Sequence, residues 1–303
     1  MRWQVEAVLK QGLSRVPKGS SLYRWLQRRN GRLRTIDVDD YWPERGRVLL
    51  LAEEHGVPTF GSRIFEIGTG WHPVLGLVSA LRGAHHVATV DLRRWMDQET
   101  LRAAASAALD IVTAGDDVDA RRVACVEDMT EHPIESVTAA LASLDIDYQA
   151  PADATDTGSI PASFDLVVHS DVFEHVPPAT IDAMLAESRR ILRPGGLHVA
   201  RICPGDHFAD RDRRITTAHH LRYSERSWRW IGGSGLAYHN RLRSDDFVRA
   251  FTRAGYRVLD VQCRIDERAR LAIANGVERP HASFAHYGID DLATTSMHIV
   301  ARR

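Results

Sequence analysis

Lysine is almost missing from this chain of 303 residues, occurring only at Lys10 and Lys18. No lysine is therefore available within the body of the chain for a Walker phosphate loop, a pyridoxal Schiff base or a Tyr-x-x-x-Lys hydride site. Cysteine is scarce as well. Cys125, Cys203 and Cys263 lie far apart and form no CxxC pair or Cys/His ligand spacing, which excludes a sequence-evident disulfide framework or zinc knuckle and points to a reducing cytoplasm. No apolar run is long enough to cross a bilayer, and the amino terminus has no signal-peptide core, so stable membrane insertion is not expected. The excess charge of a polyanion binder is absent too: 39 basic residues face 40 acidic ones, and no general nucleic-acid partner is expected.

What is present starts at Arg63-Ile64-Phe65-Glu66-Ile67-Gly68-Thr69-Gly70-Trp71-His72-Pro73. Ile64, Phe65 and Ile67 suit a buried strand, the glycines allow a tight turn, and Pro73 sits where a helix begins. Strand, glycine turn and helix make a nucleotide pocket, because the backbone is bare at its narrowest point and the helix start offers free N–H groups. A dinucleotide fingerprint would have a third glycine in place of Pro73 and would not require Glu66. A carboxylate facing the pocket suits an ammonium-bearing ligand better than a pyrophosphate. The stretch resembles the first motif of the class I S-adenosylmethionine-dependent methyltransferases.

Further along, His86-Val87-Ala88-Thr89-Val90-Asp91 reads as a second strand ending in an acid. Asp91, followed by Leu92, is a candidate for the ribose hydroxyls, with a helix-capping aspartate as the alternative. Residues 95–145 read as two or three helices around Gly115-Asp116-Asp117, an insert expected to add to a lid or a subunit contact. Asp145 to Gln149 reads as a short third strand; the resemblance implies that Asp153-Ala154 meets the adenine, against a plain turn aspartate. Phe164-Asp165-Leu166-Val167-Val168-His169 resembles the family's fourth strand, which puts Ser170 and Asp171 near the sulfonium and His175 beside the cofactor or as a base. Arg193-Pro194-Gly195-Gly196 and the strand Leu197–Ile202 resemble the step into the fifth.

Outside that run, residues 1–34 suggest two short basic amphipathic helices separated by Pro17-Lys18-Gly19-Ser20, and Pro43 to His55 a third. They close over the site, rest on an anionic surface or simply pack on the core. Residues 203–243, rich in histidine, arginine and tryptophan, form an acceptor-side cap whose aromatics either stack on substrate or are core. The resemblance implies an α/β fold, a seven-stranded mostly parallel sheet of order 3-2-1-4-5-7-6 with helices on both faces. A helical extension or lid over 1–60 would precede a methyltransferase domain over 61–303.

The expected cofactor is S-adenosyl-L-methionine, contacted by Glu66, Gly68, Thr69, Gly70, Asp91, Leu92, Asp153, Ala154, Ser170 and His175. The expected partner is a small-molecule acceptor methylated on a hydroxyl, with His207, His220 and Asp171 as catalytic candidates. No metal is expected, since the adjacent His219 and His220 diverge on a helix or strand. Self-association as a homo-oligomer stays open. A noncatalytic S-adenosylmethionine-binding protein and an NAD-type oxidoreductase are the competing readings.

Overall fold

The structure, a computed structural model, describes residues 2–16, 22, 33–112, 118–233 and 238–303. Helix α1 spans Trp3–Arg15. The second amino-terminal helix expected before residue 34, its Pro17–Ser20 turn and the Gly115–Asp117 stretch all lie outside the described residues. The third expected helix is two: α2, Val38–Arg45, and α3, Arg47–Glu54. Gly46 stands between them, where a Cβ would sit 2.2 Å from the Trp42 ring. From α3 the chain sends Val48, Leu49, Leu51 and Ala52 into the core.

Strand β1 (Arg63–Ile67) leads into α4 (Val74–Leu81), β2 (His86–Val90), α5 (Gln98–Ile111), α6 (Ala120–Glu131), α7 (Val137–Ala142) and β3 (Ile146–Gln149). All eight residues of α4 are buried. The 95–145 segment thus supplies three helices, and they serve the core. Leu101, Ala104, Ala105 and Ala108 of α5 pack in one cluster with Leu77 and Val78 of α4 and with Val126 and Met129 of α6. The small alanine face lets α5 approach closely. Among the described residues, no side chain of α5, α6 or α7 walls the cavities described below.

Strand β4 (Phe164–Ser170), α8 (Pro178–Ile191) and β5 (Leu192–Ile202) follow. The Arg193–Gly196 turn is an excursion within β5: Phe164 pairs with Leu192, and pairing resumes at Leu166 and Leu197. After the cap come α9 (Glu225–Ile231), α10 (Ser244–Arg253), β6 (Arg257–Ile265), α11 (Glu267–Ala274), α12 (Ile289–Leu292) and β7 (Thr294–Arg302).

The sheet order is β3-β2-β1-β4-β5-β7-β6, as expected from sequence. β1 to β5 run parallel, and β7 is antiparallel to both β5 and β6. Side chains alternate across the pleat. Ile64, Val87, Leu166 and Val199 therefore join the core under α3 to α6, while Phe65, Ala88, Val167 and Ala200 join the opposite core under α8 and α10. Both cores are continuous along the parallel strands, so the carboxyl ends of β1, β2 and β4 are held at one rim. Ligands of open α/β sheets bind at that rim.

The cap builds a satellite core. Ala7 of α1 packs with Phe208, Ile215 and Trp228. The Trp3 backbone N–H donates to Asp212 Oδ2 at 3.1 Å, and Arg211 pairs with Glu6 at 3.2 Å. Arg243 ties the end of the cap down. It is fully buried and donates to the carbonyls of Pro204 at 2.8 Å and of Asp291 and Thr294 at 2.9 Å.

Candidate active site

Two cavities open at the rim of the sheet. One, of about 520 Å³, is walled by Gly68, Gly70, Asp91, Leu92, Trp95, Ala152, Asp153, Ala154, Asp171, Val172, His175, Val176, Thr180 and Met184. The other, of about 420 Å³, is walled by Arg45, Arg201, Cys203, Asp206, His207, Asp210, Thr217 and Arg264. Asp171 and His175 belong to both walls, so the cavities meet at these two side chains.

In the first cavity the glycine turn approaches as the sequence requires. Gly68 has φ +84° and Gly70 φ +65°, a backbone region that disfavours any side chain. A Cβ on Gly68 would also stand 2.5 Å from Val172 Cγ2. Asp91 Oδ2 accepts from the Gly70 N–H and Oδ1 from the Arg93 N–H, each at 2.9 Å. It is thus both a strut for the turn and part of the wall. Burial raises its pKa, and the N–H donors oppose that rise. Asp153 likewise combines the two alternatives: Oδ1 accepts from Thr155 N and Oγ1 at 2.8 Å within a turn, and the residue still lines the cavity beside Ala154.

Three expected cofactor contacts stand elsewhere. Glu66 does not face the cavity; it lies beneath the turn, where its Oε2 accepts from Thr89 Oγ1 at 2.9 Å, and Thr69 hydrogen-bonds the same hydroxyl at 2.5 Å. Burial pushes the Glu66 carboxyl up to about 7, the Thr89 hydroxyl opposes this, and the nearby Asp91 charge adds to it. Ser170 is the last residue of β4, and its buried Oγ reaches neither cavity. Thr69 and Glu66 can act on a ligand only through the turn they support.

At the junction, Asp171 has φ +59° and a carboxylate gripped by Arg201 Nη1, by Arg45 Nη2 at 2.8 Å and by Cys203 Sγ at 3.2 Å. Burial alone would raise its pKa, but the two guanidinium groups outweigh burial and hold it low. Ionised and fully partnered, Asp171 is a poor proton acceptor and a fixed negative charge. His175 Nδ1 lies 2.8 Å from the Tyr238 carbonyl, which can only accept. Burial lowers its pKa, so the neutral ring carries its proton on Nδ1 and leaves Nε2 bare.

On the acceptor side, His207 lines the second cavity and is pushed down to about 4, first by burial and then by His175. His220 does not line it: its ring is fully buried against Trp228 and His239, with neither nitrogen hydrogen-bonded. His219 is turned to Glu278 and Tyr223. The tryptophans of the cap are not a stacking platform in this cavity either. Trp228 is core and donates to the His239 carbonyl at 2.9 Å, and Trp230 is 66% exposed away from it. Sequence reasoning missed Arg45, Arg201, Trp95 and Glu174. Arg201 and Glu174 left a readable trace, each being a lone charge in an apolar run; Arg45, on a helix remote in the chain, left none.

Residues 66–200 match the family described as "Methyltransferase domain". The matched segment, which spans less than half of the chain, carries a methyltransferase domain, and S-adenosyl-L-methionine is the cofactor that fits it. No curated protein sequence is significantly similar to the chain. Among solved structures, an S-adenosylmethionine-dependent methyltransferase from Mesorhizobium loti is 16% identical, with 84% of this chain and 96% of that one covered and a TM-score of 0.45. Phosphoethanolamine N-methyltransferase 2 of Haemonchus contortus, solved with S-adenosyl-L-methionine, is also 16% identical, with 85% of this chain and 52% of that one covered and a TM-score of 0.45. No helix among the described residues is long and apolar enough to cross a membrane.

Proposed function

We propose that the enzyme methylates a hydroxyl oxygen of a small polar acceptor. The observation that carries this reading is the meeting of the two cavities at Asp171 and His175. A donor seated against the glycine turn would present its methyl group toward the second, polar cavity, and in-line displacement needs little more than that alignment and the exclusion of water. The contacts proposed for the donor are Gly68, Gly70, Asp91, Leu92, Asp153, Ala154 and His175, with Glu66, Thr69 and Ser170 acting from behind. Arg45, Arg201 and Arg264 in the second wall favour an acceptor that also carries an anionic group.

Of the three catalytic candidates, His207 alone combines a place in the acceptor wall with a neutral ring at physiological pH. With a pKa near 4 it is a weak base, and an ordinary hydroxyl would need a further group to lower its own pKa. Asp171 orients the junction through its arginines, and His220 supports the cap. We assign the described parts of residues 1–60 and 203–243 to the covering of the acceptor side, and 61–303 to the catalytic domain. The setting we favour is cytoplasmic, supported by three free thiols, with no nucleic acid as substrate, supported by the balanced charge. Self-association remains open.

Incubation with methyl-labelled donor and a fractionated metabolite extract tests the reading. Label should enter small anionic hydroxyl compounds as a base-stable ether. Label entering nucleic acid or protein, or only amines, would overturn it.

A further inference from the structure

The wall between the two cavities gathers donor atoms that the sequence keeps apart. One ligand-type atom each of Glu174, His175 and His207 lies within 4.8 Å of the others. Glu174 is fully buried; one of its oxygens accepts from the Cys203 N–H at 3.2 Å and the other, Oε2, has no hydrogen-bond partner. His175 spends its Nδ1–H on the Tyr238 carbonyl, and the His207 ring stands edge-on beside it. The His175 ring therefore donates from Nδ1 to a backbone oxygen and keeps a bare lone pair on Nε2. This is the outer arrangement that fixes tautomer and orientation in histidines that bind metals. The ring centroids are 5.0 Å apart with the planes at 68°. Two imidazoles bound at about 2.1 Å to one tetrahedral cation stand at about 5 Å, centroid to centroid.

We propose that Glu174, His175 and His207 bind a divalent first-row transition-metal cation whose remaining coordination positions open into the acceptor cavity. Two histidines and one carboxylate are a borderline nitrogen and oxygen set that suits such a cation, whereas magnesium and calcium favour oxygen alone. The nearby Cys203 thiol and Asp171 carboxylate are not ligands, because they are engaged with one another and with Arg201 and Arg45. This site deepens the methyltransferase reading and rests on it. The cation would bind the acceptor hydroxyl and acidify it. Its proton leaves to water in the cavity, the oxygen forms a bond to the methyl carbon, and the carbon–sulfur pair returns to sulfur. His207 is then a ligand and not the base.

The test uses full-length protein stripped of metal with a chelator and titrated with Co²⁺, followed by its visible d–d absorption and by calorimetry. One equivalent should bind and give the intense bands of a low-coordinate site. Glu174→Gln, which keeps the buried shape, and His207→Ala should each weaken binding by roughly 100-fold or more, since direct ligands matter more than outer-shell partners. S-adenosylhomocysteine affinity is measured on the same samples and should stay within about twofold for both variants, as neither residue walls the donor cavity. If the demethylated donor binds and cobalt does not, or if both variants bind cobalt like wild type, the metal site is overturned while the methyltransferase reading stands. Failure of wild-type protein to bind S-adenosylhomocysteine would instead overturn the reading beneath it.

Discussion

Replacing Asp91 should separate the two roles the structure gives it. Its carboxylate already accepts from the N–H groups of Gly70 and Arg93 at 2.9 Å, and an ionised carboxylate has about four acceptor positions, so room for ribose hydroxyls remains. Hydrogen bonds to a charged group contribute about 1.5–3 kcal/mol, part of which water returns when the ligand leaves. Asp91→Ala should therefore weaken S-adenosylhomocysteine binding by roughly 1–3 kcal/mol, or about 5- to 150-fold in Kd. It should also loosen the glycine turn and lower the melting temperature. Asp91→Asn keeps the shape and one acceptor oxygen for Gly70 N–H, so most of the melting temperature should return while much of the affinity does not. Titration calorimetry gives the first quantity and thermal denaturation the second. If both variants melt as folded proteins and bind with wild-type Kd, the carboxylate does not hold the donor and the ribose assignment is wrong.

Two further changes probe the ground beneath the turn. Gly68→Ala places a Cβ at φ +84° and 2.5 Å from Val172 Cγ2, so donor affinity and stability should both fall. The left-handed backbone alone costs about 1–2 kcal/mol. Adding Val172→Ala should recover the steric part only, and full affinity in the single variant would refute the close-approach argument. Glu66 is the pH-sensitive element. A folded-state pKa raised from 4.5 to about 7 means the native state holds the proton more tightly than the unfolded chain, with roughly 3 kcal/mol at stake. That stability is fully present below pH 4.5 and is lost as pH rises through about 7. Urea midpoints for wild type should decline across this window relative to Glu66→Gln, which keeps the buried shape without a titrating proton. Parallel pH profiles would show that Glu66 titrates as it does in solvent.

Much of the first cavity's wall was legible because it is local. The run from Ile64 to Gly70 contains its own strand, its own turn and the constraint that only glycine satisfies at Gly68. Asp91 was legible for the same reason, being the acid at the end of the next strand. Glu66 marks the limit of this kind of reading. Its position beside the turn is a sequence fact, but whether its carboxylate points into the cavity or beneath the turn depends on Thr89 of the neighbouring strand.

The acceptor side was poorly legible. Adjacent His219 and His220 attracted attention as a pair, yet they turn to Glu278 and to Trp228, away from the second cavity. His207 meets His175 instead, and Arg45 reaches Asp171 from an amino-terminal helix.

By itself, the amino-acid sequence determined most of the strands and the glycine turn after β1, because apolar runs, strand-end acids and turn glycines act over a few residues, while the strand order came from the family resemblance. Only the tertiary structure decided which charges line the second cavity and which lie beneath the turn, because that choice is made by neighbours on other elements, from Thr89 beside Glu66 to Arg45 beside Asp171, through burial and ion pairing that no local pattern records.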